Sequence, residues 1–198
     1  KVLRGFDNDI RDQLMSSMQQ KGITIHNEVT ISKIDKSNDN YDINLSNGNL
    51  LNVDLVMGAT GRNPKISGLG LKEIALNLGS RGEVLVNNYA QTNINSIYAI
   101  GDVTDKVTLT PVAIAEGHAF ADREFGNKER FISYDHVPSA VFSQPSIAVV
   151  GFSQEEAVKK GYKVTQYKSE FRALKNTVSG NLERTLMKLI VDDNSQKV

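Results

Sequence analysis

The most constraining feature of the sequence is an apolar segment, residues 96–100, that runs into Gly101-Asp102 and is followed by Thr110-Pro111. The apolar segment predicts a buried strand that ends at the glycine. Thr110-Pro111 predicts the start of a helix, with the threonine hydroxyl as N-cap and the proline as first helical residue. Ligands of open α/β sheets bind where strands end, so this order predicts an α/β fold with a candidate site at Asp102.

The candidate site combines a carboxylate with a helix N terminus. Asp102 is placed to accept hydrogen bonds from ribose or polyol hydroxyls. The free N–H groups that follow Leu109, from Thr110 onward, present partial positive charge to an electron-rich group, such as the N1 and O2 edge of a reduced flavin. Aspartates also cap loops and Thr-Pro also begins ordinary helices, so each half has a purely structural interpretation. The combination at this spacing is rarer and favours a ligand site.

The first part of the chain predicts a helix followed by an antiparallel meander. Apolar residues recur at four-residue steps between Asp7 and Lys21, and Gly22 can end this helix. Strands are expected next, and a turn at 46–49 joins the last two. The apolar helix positions are Phe6, Ile10, Leu14 and Met18, and the predicted strands are 23–26, 29–34, 41–45 and 50–57.

The rest of the chain predicts two helices and several short strands. One helix begins at Thr110, and a composition shift at 127–130 marks a domain boundary beyond it. Ser153 and Glu156 form a capping box that opens the other helix. These helices are expected to end near Phe125 and Lys160, with a weak strand at 83–86 and one sheet of strands at 140–142, 146–150, 164–171 and 186–191.

Composition excludes several kinds of chemistry. The 198 residues contain no cysteine, which removes disulfides, thiolate metal sites and thiol nucleophiles from this stretch. Lys plus Arg and Asp plus Glu both number 23, so no broad basic face is expected for nucleic acid or an anionic membrane. The sequence has no bilayer-spanning apolar run and no signal peptide, which predicts a cytoplasmic protein. Lys1 and the hairpin-like last residues lead us to expect a fragment at both ends.

Scattered histidines and the absence of a nucleophile motif add two further exclusions. His26, His118 and His136 do not have the spacing of a metal site, so no metal is expected. No G-x-S-x-G pattern supports hydrolase chemistry.

Two weaker candidates contain arginine. Arg4 lies one turn before the first helix, where a guanidinium could contact a phosphate, such as the one that distinguishes NADP from NAD. Gly61 permits close approach of the backbone to a ligand, and Arg62 supplies a positive group beside it. Taken alone, Arg4 is more typical of a solvated surface residue, and residues 59–64 are more typical of a turn between domains.

Five segments together carry a family resemblance. They are Leu3-Arg4-Gly5-Phe6-Asp7, Ala59-Thr60-Gly61-Arg62-Asn63-Pro64, Tyr98-Ala99-Ile100-Gly101-Asp102-Val103, Leu109-Thr110-Pro111-Val112-Ala113-Ile114-Ala115-Glu116-Gly117 and Val137-Pro138-Ser139-Ala140-Val141-Phe142-Ser143-Gln144-Pro145. In order and spacing the chain resembles the glutathione and trypanothione reductase branch of the pyridine-nucleotide disulfide oxidoreductase flavoproteins. Dihydrolipoamide dehydrogenases usually diverge at the segment that begins with Leu109.

The resemblance implies part of a flavoprotein with two dinucleotide-binding domains, followed by the first half of an α+β dimerisation domain. Residues 1–63 would be the C-terminal part of the NADPH-binding domain, and residues 64–130 the C-terminal part of the FAD-binding domain. Residues 131–198 would begin the dimer-interface domain, which implies a homodimer.

The resemblance also implies roles for single residues on the nucleotide side. Arg4 would bind the 2′-phosphate of NADPH, and Gly61 with Arg62 would line the same nucleotide. Ala140 would lie against the nicotinamide carboxamide.

On the flavin side, the resemblance implies that Asp102 would hold the ribityl chain of FAD. Thr110 and the backbone N–H groups beside it, in the Leu109 segment, would face the flavin pyrimidine edge. At His118 many members of the family carry an arginine that contacts a glutathione carboxylate. This departure leaves substrate contact at His118 open, although a protonated histidine could serve.

The implied activity is hydride transfer from NADPH to FAD and on to a cysteine pair that reduces glutathione disulfide. The cysteine pair and the catalytic histidine would fall outside residues 1–198, so this chain is expected to hold no catalytic residue and to be inactive alone. Trypanothione reductase or another disulfide reductase of the family is the first alternative. The second is a non-catalytic interaction module that uses the sheet from Val137 onward.

Overall fold

The computed structural model describes residues 1–198, which divide into two units, Lys1–Met57 with His136–Val198, and Gly58–Asp135. Helices and strands are mixed along the chain, which confirms the α/β class, whereas the divisions after residues 63 and 130 stay predictions. None of the helices has the length and apolar composition needed to cross a membrane. The helices are α1 (Asn8–Gln20), α2 (Thr110–Glu124), α3 (Gln154–Lys159) and α4 (Leu174–Ser179). The strands are β1 (Ile31–Ser37), β2 (Asn40–Leu45), β3 (Leu50–Val53), β4 (Ser139–Val141), β5 (Ile147–Val149), β6 (Val164–Phe171) and β7 (Thr185–Asp192).

Helix α1 forms where it is predicted, because its local signals agree with one another. The Asp7 carboxylate accepts a hydrogen bond from the Asp9 N–H at 3.0 Å and so caps the first turn. Leu14, on the apolar stripe, is buried. Gly22 follows the helix with a φ of +84°, a left-handed conformation that favours glycine and ends the helix.

The antiparallel meander is also confirmed. β2 pairs with β1 on one side and with β3 on the other, so that Ile43 lies opposite both Ile34 and Leu51. Gly48 has a φ of +85° in the turn that joins β2 to β3, as the sequence predicts. Ile43 and Leu45 are buried and supply the core of this sheet.

Two of the strands predicted near the meander are wrong wholly or in part. Residues 23–26 form no strand, and β3 ends at Val53, which leaves Leu55 80% and Met57 84% exposed. A strand is stable only when a neighbour satisfies its backbone N–H and C=O groups, and no strand pairs with these segments.

The strand predicted at 96–100 in the second unit is wrong for the same reason. Tyr98 forms one isolated bridge with Gln91, and the weak strand expected at 83–86 is reduced to a bridge between Leu78 and Val84. This part of the chain is therefore held by turns and by packing on α2. Leu76, Val84, Val112 and Ala119 are its buried apolar residues.

Residues 136–198 form two separate hairpins, so the prediction of one sheet is wrong although its strands lie close to where they are expected. β4 pairs with β5, and β6 pairs with β7. The capping box of Ser153 and Glu156 at the start of α3 is confirmed. α4 is not predicted, because its six residues have no side-chain cap, and it ends at Gly180 with a φ of +73°.

Candidate functional site

The candidate site lies around a turn of 3-10 helix, Gly101–Thr104, that comes shortly before α2. Gly101 has a φ of +70°, and a Cβ atom at this position would lie only 3.2 Å from the Cβ of Ala113. Both observations favour glycine, because an L side chain would be strained in this conformation and would press on α2. The close approach brings Asp102 next to the helix start.

Asp102 is available to a ligand. Its side chain is 56% exposed, and its charged neighbour is Arg62, whose Nη1 lies 4.0 Å from Oδ2. The Arg62 side chain is 89% exposed, so water screens this pair and the attraction between the two groups is weak. The carboxylate therefore keeps lone pairs free to accept hydrogen bonds from hydroxyl groups.

The start of α2 is open, which corrects one expectation. Leu109, with an extended φ of −129°, is the N-cap and supplies no side-chain hydrogen bond. Its carbonyl accepts the N–H groups of Val112 and Ala113, each at 3.0 Å. Thr110 is thus the first helical residue, and the prediction that its hydroxyl caps the helix is wrong. The exposed Thr110 N–H and hydroxyl stay available at the positive end of the helix dipole.

Arg81 supports the position of Arg62. Its Nη2 donates to the Arg62 carbonyl at 3.1 Å, and its Nη1 pairs with the Asp105 carboxylate at 2.7 Å. Gly61, just before Arg62, has a φ of +119° and open space where a Cβ would lie. The structure therefore places Arg62, which follows Gly61 in the chain, beside Asp102, and the binding roles of these three residues stay predictions.

One buried carboxylate under this site, Glu116, is not predicted as a site residue from the sequence. Glu116 is 7% exposed and bonds both the Gly101 N–H and the hydroxyl of Tyr134. Partial burial, followed by the hydrogen bond to Glu116, raises the pKa of Tyr134 from its usual 10.0 to about 12, and with either value the hydroxyl is a donor at neutral pH. Helical spacing indicates the burial of Glu116, because this residue lies on the same inward face of α2 as Val112 and Ala119.

The other predicted site residues lie apart from this turn in the chain, and their roles stay predictions. Arg4 is exposed at a turn in which the Phe6 N–H donates to the Leu3 carbonyl at 3.2 Å. Ala140 is exposed on β4, opposite Ala148 of β5. His118 is exposed on α2, eight residues after Thr110.

Comparison with known proteins gives two family matches. Residues 1–117 match the family described as pyridine nucleotide-disulphide oxidoreductase, and residues 137–198 match the dimerisation domain of that family.

Two curated relatives match almost the whole chain. A glutathione reductase of Burkholderia cepacia is 40% identical over 198 residues, which are 100% of this chain and 44% of the relative. A trypanothione reductase of Trypanosoma congolense is 39% identical over 193 residues, which are 97% of this chain and 39% of the relative. The chain spans less than half the length of these proteins.

A solved structure supports the fold. The HOCl-induced flavoprotein disulfide reductase RclA from Escherichia coli superposes with a TM-score of 0.88 at 24% sequence identity. The superposition covers 99% of this chain and 45% of that one.

Proposed function

The chain belongs to the pyridine nucleotide-disulphide oxidoreductase family, and from this membership we propose that it is part of an NADPH-dependent flavoprotein that reduces glutathione disulfide. The observation that carries the proposal is the exposed Asp102 carboxylate beside the open start of α2. This arrangement occurs in a chain that is 40% identical along its whole length to a glutathione reductase. Family membership implies a flavin and a nicotinamide nucleotide, and the residues present fit both.

The proposed flavin contacts are Asp102, Leu109 and Thr110. The Asp102 carboxylate can accept hydrogen bonds from ribityl hydroxyls, because it is exposed and only weakly paired. The uncapped helix start can donate the Thr110 N–H to the flavin pyrimidine edge, and the helix dipole favours the negative charge that develops there on reduction. Leu109 holds that N–H in place by its extended backbone.

The proposed nucleotide contacts are Arg4, Gly61, Arg62 and Ala140. The exposed guanidinium of Arg4 suits a bidentate contact with the 2′-phosphate of NADPH. Gly61 leaves room for a ligand against the backbone, and Arg62 adds a positive group. The exposed Ala140 would lie against the nicotinamide carboxamide. When bound, a flavin would supply the two-electron redox chemistry that links the nicotinamide to a redox-active disulfide.

The residues of this chain bind and orient these groups, and the chain supplies no cysteine for the reduction of the substrate. We propose the division into NADPH-domain residues 1–63, FAD-domain residues 64–130 and interface-domain residues 131–198. The match of residues 137–198 to a dimerisation domain supports a homodimer. A cytoplasmic location stays a prediction.

Trypanothione reductase is the first alternative, favoured by the 39% identity to the Trypanosoma congolense enzyme. We propose that His118 contacts a glutathione carboxylate, because a protonated imidazole would attract this negative group. A more basic disulfide substrate would gain nothing from a positive group at this position. Turnover of glutathione disulfide and of trypanothione disulfide by the full-length protein separates the two. A protein that reduces neither disulfide but reduces another one with NADPH would be another disulfide reductase of the family, and a protein that reduces no disulfide would favour the non-catalytic interaction module.

The nucleotide assignment is tested by Arg4→Ala in the full-length reductase. Loss of a bidentate charge-assisted contact should raise the KM for NADPH about tenfold or more and leave the KM for NADH nearly unchanged. Lys36→Ala, which also removes an exposed cation near the start of the chain, is the control. Equal effects on the two nucleotides would contradict the assignment of Arg4.

The isolated 198-residue chain provides a separate test. Mixed without oxygen with NADPH, FAD and glutathione disulfide, it should form no glutathione, because no cysteine is present to carry electrons to the substrate. Formation of two glutathione molecules for each NADPH oxidised by the purified chain would show that disulfide reduction proceeds by another route.

A further inference from the structure

Glu116 is a buried acidic residue that the proposed contacts leave unused. It lies on the inward face of α2 between Val112 and Ala119 and is 7% exposed. A carboxylate in such a place is costly unless hydrogen bonds compensate for the lost water. Both of its oxygens are in fact bonded.

The two hydrogen bonds of Glu116 join segments that are distant in sequence. Oε2 accepts the Gly101 N–H at 2.5 Å, and Oε1 accepts the Tyr134 hydroxyl at 2.6 Å. Bonds to an ionised carboxylate are about twice as strong as those between neutral groups. The Tyr134 hydroxyl, which stays protonated at neutral pH, directs the carboxylate toward Gly101.

Gly101 is held on both sides of its α-carbon. Glu116 binds its N–H, and the Thr104 hydroxyl donates to its carbonyl at 2.9 Å. Both peptide planes of the residue before Asp102 are therefore fixed. The Asp102 side chain itself stays exposed, so its direction depends on this backbone.

We propose that Glu116 is a positioning residue for Asp102, and that together with Tyr134 it aims the Asp102 carboxylate at the ribityl hydroxyls of the flavin. The inference rests on the proposed flavin site. Glu116 itself reaches only Gly101 and Tyr134 and acts through the backbone.

The test measures FAD binding by the deflavinated full-length reductase. Glu116→Leu removes the acceptor and should raise the Kd for FAD about tenfold or more, as loss of a hydrogen bond to a charged group does. Glu116→Gln keeps an acceptor for the Gly101 N–H and should restore most of the affinity. Tyr134→Phe should have an intermediate effect.

Helix α2 offers a matched control pair. Glu124 accepts the Tyr98 hydroxyl at 3.1 Å but does not touch the turn that carries Asp102. Glu124→Leu and Tyr98→Phe should therefore leave the Kd for FAD within about twofold. Equal losses in the control pair would mean that any Glu–Tyr bond on α2 has the same effect, and would overturn the inference.

A double-mutant cycle separates positioning from general stabilisation. If Glu116 acts through Asp102, Glu116→Leu should weaken FAD binding strongly in the native background and by less than about twofold in an Asp102→Ala background. If the two substitutions weaken FAD binding additively, the positioning role of Glu116 is overturned, whereas the proposed flavin site is not. An unchanged Kd in Asp102→Ala by itself would instead overturn the proposed flavin site, and the role of Glu116 with it. If the leucine variant fails to fold, Tyr134→Phe takes its place in the cycle, because its intermediate loss of FAD affinity should likewise shrink in the Asp102→Ala background.

Discussion

Two aspartates at the beginning of helical segments are used in opposite ways. Asp7 caps α1, its side chain is 8% exposed, and Lys188 Nζ binds it at 2.7 Å. Asp102 is the second residue of a 3-10 turn, its side chain is 56% exposed, and its one cationic neighbour, Arg62, lies at 4.0 Å. A carboxylate that is buried and fully bonded cannot bind a ligand and serves structure, whereas an exposed and weakly paired one can still bind.

Asp7 and Lys188 are buried and form, with Asp9, a group of charged residues that joins the beginning and the end of one unit. Lys188, 6% exposed, also binds Asp9 at 2.7 Å, so α1 is tied to β7 across 181 residues of sequence. Burial disfavours the charged ammonium of Lys188, but its hydrogen bonds to Asp7 and Asp9 outweigh this and raise its pKa. The hydrogen bond from Lys188 lowers the pKa of Asp9.

The largest change in stability is expected when the buried ion pair of Asp7 and Lys188 is broken. Lys188→Met leaves Asp7 buried without its cation, which should reduce the free energy of unfolding by about 3–5 kcal/mol. Lys168→Met is the matched control, because Lys168 pairs with the same Asp9 at 3.1 Å but is 42% exposed, and it should cost at most about 1 kcal/mol. Urea unfolding monitored by circular dichroism measures both. Equal losses of unfolding free energy in the two variants would show that burial does not set the strength of these ion pairs.

The pH dependence of stability should show a smaller effect. Because folding lowers the pKa of Asp9 below its usual 3.8, its contribution to stability is complete above that pH and is lost as the pH falls through the folded value. Because folding raises the pKa of Lys188 above its usual 10.5, its contribution is complete below that pH and is lost as the pH rises through the folded value. Urea midpoints should therefore fall at both extremes, and Asp9→Asn should flatten the acid side. An unchanged acid slope in Asp9→Asn would contradict the role of Asp9.

The smallest effect is expected at the exposed pair. Arg62→Gln should change the free energy of unfolding by less than about 1 kcal/mol, because both side chains are largely in water. The same variant should weaken NADPH binding by the full-length protein, because Arg62 is a proposed nucleotide contact. A large loss of stability without a change in binding would show that Arg62 and Asp102 form a structural pair like Asp7 and Lys188.

Elements whose signals are local were predictable from the sequence. The cap and apolar stripe of α1, the turn at Gly48 and the capping box at Ser153 each lie within a few residues, and the structure contains all three. The predictions of strands at 23–26 and 96–100 are wrong, because a strand depends on a neighbouring strand that can come from any part of the chain.

The sequence by itself determined the class of fold, the helices α1, α2 and α3 and the family, and it indicated Asp102 as a candidate site residue, because short motifs carry that information. Only the tertiary structure decided that Arg62 approaches Asp102, that Lys188 neutralises Asp7, and that Glu116 holds the turn from beneath. These contacts join residues far apart in the sequence, and burial sets their strength. The same residue type therefore stabilises the fold at Asp7 and remains free for a ligand at Asp102.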